Sequence, residues 1–426
     1  MPKRIASIAA TLALSFLGIT TPALAEEFPN GVRDSLGPGF SATPTGPPPA
    51  VSRVSGQEPR NAAAALLRLR HWNQIAVDAS GLDHTPVAPG EDRVFGHQLG
   101  PGRASRAMAI IHIAIFDAIN AIAGRYRSYT DIRDAPAGTS MDGAIAQAAH
   151  DTLVALFPSQ SSIFDDALAE DLGRILVRNR RDLENGRKLG RRTAAAILAR
   201  RAGDGSLHDE PRLGIDYATS DAPGKWRQDP VSLGPLAMGA RWSEVRPFVL
   251  HSGRQFRAPA PPALDSAAYA AAFAEVKRLG GDGVVTPTER SDDQTQAGIF
   301  WAYDGTPSLC APPRLYNQIA VQIAGQMGSN VVETARLLAL ANVAMADAGV
   351  AIWESKYHYE YWRPVTGVRE ADAGTGPSGL GDGNPATMAD ASFTPLGAPA
   401  SNLHGPNFTP PFPAYPSGHA GFGGAL

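Results

Sequence analysis

The 426-residue sequence holds a single cysteine, Cys310. No internal disulfide can form, so stability has to come from packing. Charge of either sign is in short supply as a net quantity: 38 Lys and Arg stand against 41 Asp and Glu, a formal net charge of −3. That balance gives no reason to expect nucleic acid as a partner, and an anion site must be a local cluster of basic side chains. Beyond the N-terminus no apolar run reaches about eighteen uninterrupted residues, so the mature chain is expected to lack a membrane span. Period-two alternation is scarce, which argues against sheets. A glycine-rich nucleotide loop, a zinc pattern and a nucleophile elbow are all missing. His208-Asp209-Glu210 lacks metal-ligand spacing and reads as a solvated loop.

What is present is alanine-rich and helical in period. The chain is long enough for one large domain or two ordinary ones, and 43% of it is apolar,. Residues 1–25 read as a signal peptide: "MPKR", an apolar run, then Ala23-Leu24-Ala25 as the cleavage site,. The mature protein is therefore expected to be soluble and either secreted or periplasmic. Residues 26–60 form a Pro/Gly-rich arm. From 61 to 426 one helical domain is expected, with amphipathic patterns such as "RASRAMAIIHIAIFDAINAIA" and "MDGAIAQAAHDTLVALF",. The longest pattern runs from Val331 to Trp362, with Asn330 and Glu333 as a capping pair and Arg363-Pro364 as its stop. A Gly/Pro-dense stretch, 371–416, reads as a functional or partly disordered loop. The fold class expected is all-α, with bundle-like packing.

Two stretches carry chemistry. In "KYHYEYWRP", Lys356 and Arg363 are seven residues apart, which on a helix puts both on nearly one face, about 10 Å apart along the axis,. Their long side chains can converge on a small oxyanion, with Tyr357, Tyr359, Tyr361 and Trp362 walling it from water. In "PPFPAYPSGHAGFGGAL" the prolines stiffen the approach to Ser417, Gly418 and His419, where a helix starts. A helix N-terminus attracts anions, and a histidine moves protons near neutral pH. Glycines 421, 423 and 424 permit close helix packing. Read singly, the first stretch is equally a solvated helix face, and the second a proline-rich turn with an incidental histidine.

Together, Lys-x6-Arg-Pro and Pro-Ser-Gly-His resemble the signature of the type 2 phosphatidic acid phosphatase superfamily. The longer strings "YEYWRPVTGVR" and "PPFPAYPSGHAGFGGA" resemble the vanadium-dependent haloperoxidases within it, as do "HWNQIAVDA", "SRAMAIIHIAIFDAINA" and "QAGIFWAYDG". The resemblance implies helical bundles of that type and vanadate as cofactor, held by Lys356, Arg363, Ser417 and the Gly418 amide. It implies His419 as the acid–base residue, and Trp353 and Phe412 as walls of a halide pocket. Hydrogen peroxide, halide and a small organic acceptor are the partners it implies, with hypohalous acid as product. Oligomeric state stays open.

The family's third motif, Ser-Arg-x5-His, supplies a second arginine and the axial histidine ligand. It has no counterpart after His419, so the chain as written is expected to hold vanadate weakly and to be inactive. Ser105-Arg106 with His112 matches by spacing alone; it lies upstream in an apolar run, where a core histidine is expected. His404 is a further candidate for the site, and His358 reads as a packed or surface residue. Two alternatives accompany the haloperoxidase: an exported acid phosphatase of the same superfamily, and a non-catalytic helical anion-binding fragment.

Overall fold

A computed structural model describes residues 62–176, 179–302, 308–397 and 409–426. The segments read as signal and arm, and His404, lie outside the described residues. Among the described residues there are helices and isolated bridge pairs such as Lys225 with Tyr361, but no sheet. The all-α class holds.

Residues Gln57–Leu426 form one compact unit. Its first half is a bundle built from α1 (Ala62–Asp83), α2 (Gly100–Ala123), α3 (Met141–Leu156), α4 (Ser161–Arg174) and α5 (Arg180–Arg201). Helix α2 is apolar on nearly every face, and such a helix belongs in a core. It is buried along most of its length and touches α3, α5 and the later α9. Asp117, fully buried within it, is satisfied by the amides of Tyr129 and Thr130 and by the Thr130 hydroxyl.

The crossing of α3 and α5 is set by missing side chains. A Cβ at Gly186 would lie 2.3 Å from the Ser140 carbonyl oxygen, and one at Gly190 2.7 Å from the Ala144 carbonyl oxygen. Backbone rests on backbone there, opposite Ala144 and Ala148.

The second half contains α6 (Ala267–Leu279), α7 (Asp292–Trp301), α8 (Pro312–Gln326), α9 (Val331–Tyr359), α10 (Pro364–Arg369) and α11 (Gly418–Ala425). Asn330 and Glu333 cap α9 reciprocally, as the sequence indicates,. The N-terminal half of α9 enters the first core, through Val332, Ala335, Ala339 and Val343. Its C-terminal half carries Val350, Ile352 and Trp353 into a second core with Trp242, Tyr316, Phe412 and Phe422. One helix thus joins both hydrophobic centres. A third, smaller cluster places Tyr269 and Phe273 of α6 against Trp362, Val368 and Phe393.

Helices α2 and α9 are long and apolar enough to cross a membrane by length and composition. In this fold 83% and 67% of their most apolar windows are buried.

Candidate functional site

The α9 helix does not run to Trp362. It ends at Tyr359, because Glu360 takes a left-handed conformation (φ 50°) and its N–H closes on the Lys356 carbonyl. Lys356 therefore sits in the last helical turn, whereas Arg363 lies beyond the break, as the extended residue before Pro364 at the start of α10,. The single-helix geometry expected for this pair is wrong. The two side chains still meet in one cavity, because the chain turns back at the break.

What they meet is the proline-rich approach to α11. Lys356 is 1% exposed, and its Nζ donates to the carbonyls of Pro413 at 2.8 Å and Ala414 at 3.0 Å. Arg363 Nε donates to the Phe412 carbonyl at 2.8 Å. Phe412 lies under both cations, its ring centre 5.1 Å from Lys356 Nζ and 4.8 Å from the Arg363 guanidinium carbon. Trp353 adds a second ring, 5.8 Å from Lys356 Nζ and edge-on to Phe412 at 5.0 Å. A cation over an aromatic face is stabilised by the ring's quadrupole, more so where water is kept away.

Ser417 is the N-cap of α11, its Oγ accepting from the Ala420 amide at 3.3 Å. The helix begins as expected, but its glycines divide. Gly421 passes so close to Ile352 that a Cβ would clash, and Gly423 does the same with the Tyr316 hydroxyl; Gly424 faces open space.

Lys356, Arg363, Trp353, Phe412, Ser417, Gly418 and His419 all line a single cavity of about 290 Å³. Ser417 also borders two further apolar cavities. The larger, of about 790 Å³, follows α9 and α11 away from the two cations. The site cavity is the one holding both cations and a helix N-terminus.

The aromatic wall departs from expectation. Tyr357 stacks edge-on with Tyr217 and Trp226, Tyr359 with Tyr415, and Tyr361 and Trp362 face a different cavity. The reason is the break at Glu360, which turns 361–362 out of register with the last turn of α9. The rings around the site come from Trp353, Phe412, Phe422 and Trp301.

Trp301 was not legible as a site residue. It ends α7, stands edge-on to His419 with ring centres 6.4 Å apart, and tilts against Tyr316. The Tyr316 hydroxyl donates to the His419 carbonyl at 2.9 Å, pinning the first turn of α11. A signal for α7 existed. Ser291-x-x-Gln294 is a capping box, and the structure forms both of its hydrogen bonds,.

Among the described residues, no other histidine lines this cavity. His112 is fully buried, its Nδ1 2.8 Å from the Met108 carbonyl and its Nε2 2.7 Å from the Asn73 amide. Burial holds its pKa down to about 4. It is a neutral core histidine tying α2 to α1. His358 stacks on Tyr359 and contacts Arg257 near the surface.

The donor set defines what the cavity can hold. An ammonium, a guanidinium, a hydroxyl and the amides of a helix N-terminus offer positive charge and hydrogen-bond donors. Among the described residues no cluster of three or more His, Cys, Asp or Glu side chains is placed to bind a bare metal cation. A metal taken up here fits as an oxyanion, which is the form vanadate has.

Residues 336–426 match the family described as the VCPO second helical-bundle domain. The vanadium chloroperoxidase of Curvularia inaequalis is 31% identical over 413 residues, covering 83% of this chain and 63% of that protein. The chain thus spans less than two thirds of that relative's length. Among solved structures, the first bacterial vanadium-dependent iodoperoxidase superposes with a TM-score of 0.61 at 21% identity, over 83% of this chain and 77% of that one. An apo-type bacterial vanadium-dependent chloroperoxidase gives 0.52 at 16% identity, over 76% and 75%.

Proposed function

We propose, from the chain's similarity to vanadium haloperoxidases in sequence and fold, that its cavity is a vanadate site for peroxide-driven halide oxidation. The observation that carries this is the convergence of Lys356, Arg363, Ser417, Gly418 and His419, from three separate elements, on one cavity.

In this reading Lys356 and Arg363 neutralise the oxyanion, with Ser417 Oγ and the Gly418 amide as further donors. Bound vanadate supplies a Lewis-acidic centre that activates hydrogen peroxide toward halide without itself changing oxidation state. The protein's own work is positional. The carbonyls of Pro413 and Ala414 fix the ammonium, and Tyr316 fixes the first turn of α11. His419, which lines the cavity, would hold or release a proton at the oxyanion,. Trp353 and Phe412 keep the cations dry and shape the place where halide enters. Chloride, bromide and iodide are all candidates.

A charge-assisted hydrogen bond is worth about 1.5–3 kcal/mol, so Lys356→Met should lower vanadate affinity at least tenfold, read by equilibrium dialysis. That variant should also lose about 1–3 kcal/mol of stability, because two buried carbonyls lose their donor. Unchanged affinity in the variant would remove the cavity from the oxyanion's path. Bromination of a reporter diketone, measured beside phosphate-ester hydrolysis, separates the peroxidase from the phosphatase. Hydrolysis without vanadate-dependent halogenation would reverse the assignment.

A further inference from the structure

Behind the segment that carries Ala414 and Ser417 lies a second cavity of about 330 Å³. It borders the oxyanion cavity directly, because Ala414 and Ser417 line both. Its character is different. Tyr269 and Phe273 of α6 form one wall, with ring centres 6.1 Å apart. Tyr361 and Tyr415 stand edge-on at 6.4 Å, and Trp362 completes the floor. Among the described residues, no Asp, Glu, Lys, Arg or His lines it. Its volume is at the lower end for small-molecule pockets, about 300–1,000 Å³, which suits one or two fused rings. Aromatic walls favour an aromatic guest in edge-to-face or offset contact.

We propose that this cavity is the organic acceptor's subsite, taking a neutral, electron-rich one- or two-ring aromatic such as a phenol, a naphthol or an indole. The proposal rests on the haloperoxidase reading for its oxidant, hypohalous acid. A ring seated here is separated by one chain segment from where that oxidant forms. The ring's π electrons make the new carbon–halogen bond while the halogen–oxygen bond breaks, and hydroxide leaves with the electron pair. Loss of the ring proton to hydroxide restores aromaticity and gives water. Lys356 holds the Ala414 carbonyl from the oxyanion side, so the dividing segment is fixed by the same ammonium that serves the anion.

Binding of 2-naphthol to the protein, without vanadate or peroxide, tests this directly. Saturable one-to-one binding is expected, with nuclear Overhauser contacts from the naphthol to Trp362 and Phe273. Ala272→Trp places an indole at the cavity's exposed rim and should weaken naphthol binding at least tenfold while vanadate affinity stays within twofold. Val276→Phe, one turn along α6, is the second variant, with the same expectation. Equal naphthol affinity in the parent and both variants, or contacts mapping elsewhere, would overturn the subsite. Naphthol binding by a protein that shows no vanadate binding would overturn the acceptor role, and would place the fault in the haloperoxidase reading rather than in the cavity.

Discussion

Phe412 shows how one residue can serve two demands. Its carbonyl accepts from Arg363 Nε, and its ring lies under both Arg363 and Lys356. Two cations held in a small cavity repel each other, and a shared aromatic face offsets part of that cost. Trp301 has a comparable relation to His419, whose imidazole it meets edge-on. We expect Trp301→Leu to leave vanadate affinity within about threefold while freeing the His419 ring. Nuclear magnetic resonance reads this as loss of the ring-current shift on the His419 protons. In a halogenating preparation the same variant should lower kcat and alter its pH profile, with KM for halide little changed. An unshifted His419 signal would make Trp301 a mere wall. Lys356, Arg363, Ser417 and His419 were readable because their spacing is a local property of the chain. Trp301 was not, because its partner lies 118 positions later and no periodicity announces a ring contact.

At the scale of elements, periodic apolar patterns named nearly every long helix, since each buries a face in one of three hydrophobic clusters. The exceptions have physical causes. Helix α7 is short, with no residue fully buried, so its capping box was its main signal. Helix α9 stops three residues before its apolar–aromatic run does, because Glu360 goes left-handed and the chain must be extended before Pro364. Continuous aromatic character concealed a change of direction. The α3–α5 crossing makes a sharper test of packing against propensity. Alanine is the better helix former by about 1 kcal/mol, so Gly190→Ala should stabilise α5 taken alone. In the fold its Cβ would lie 2.7 Å from the Ala144 carbonyl oxygen and 2.8 Å from the Ala148 amide nitrogen. Neither atom can move without shifting α3. A net loss of at least about 2 kcal/mol is expected, measured by urea unfolding. A neutral or stabilising result would mean that the helices separate at little cost.

For the whole molecule, acid response separates the two cores. His112 stands in the first, neutral, with burial holding its pKa down to about 4 from an ordinary 6.5. The unfolded chain therefore binds the proton more readily than the folded one, and stability rises with pH between those values. The native state has this advantage in full above about pH 6.5 and loses it progressively toward pH 4. By linkage the loss is about 3 kcal/mol. Half-buried His150 acts in the opposite sense. Burial opposes its charge, yet hydrogen bonds to Asp151 and Asp165 raise its pKa overall, so its contribution fades as pH climbs past the ordinary histidine range. Comparing the parent with His112→Gln isolates the first effect. The difference in unfolding free energy between the two proteins should change by about 3 kcal/mol from pH 7.5 to pH 4, the parent losing more. Parallel curves would show that His112 takes up its proton as readily in the folded core as in the unfolded chain. The oxyanion cavity belongs to the second core, so vanadate affinity of the folded protein should not follow this titration. An affinity curve that did track it would mean that α9, which spans both cores, transmits the state of His112 to Lys356.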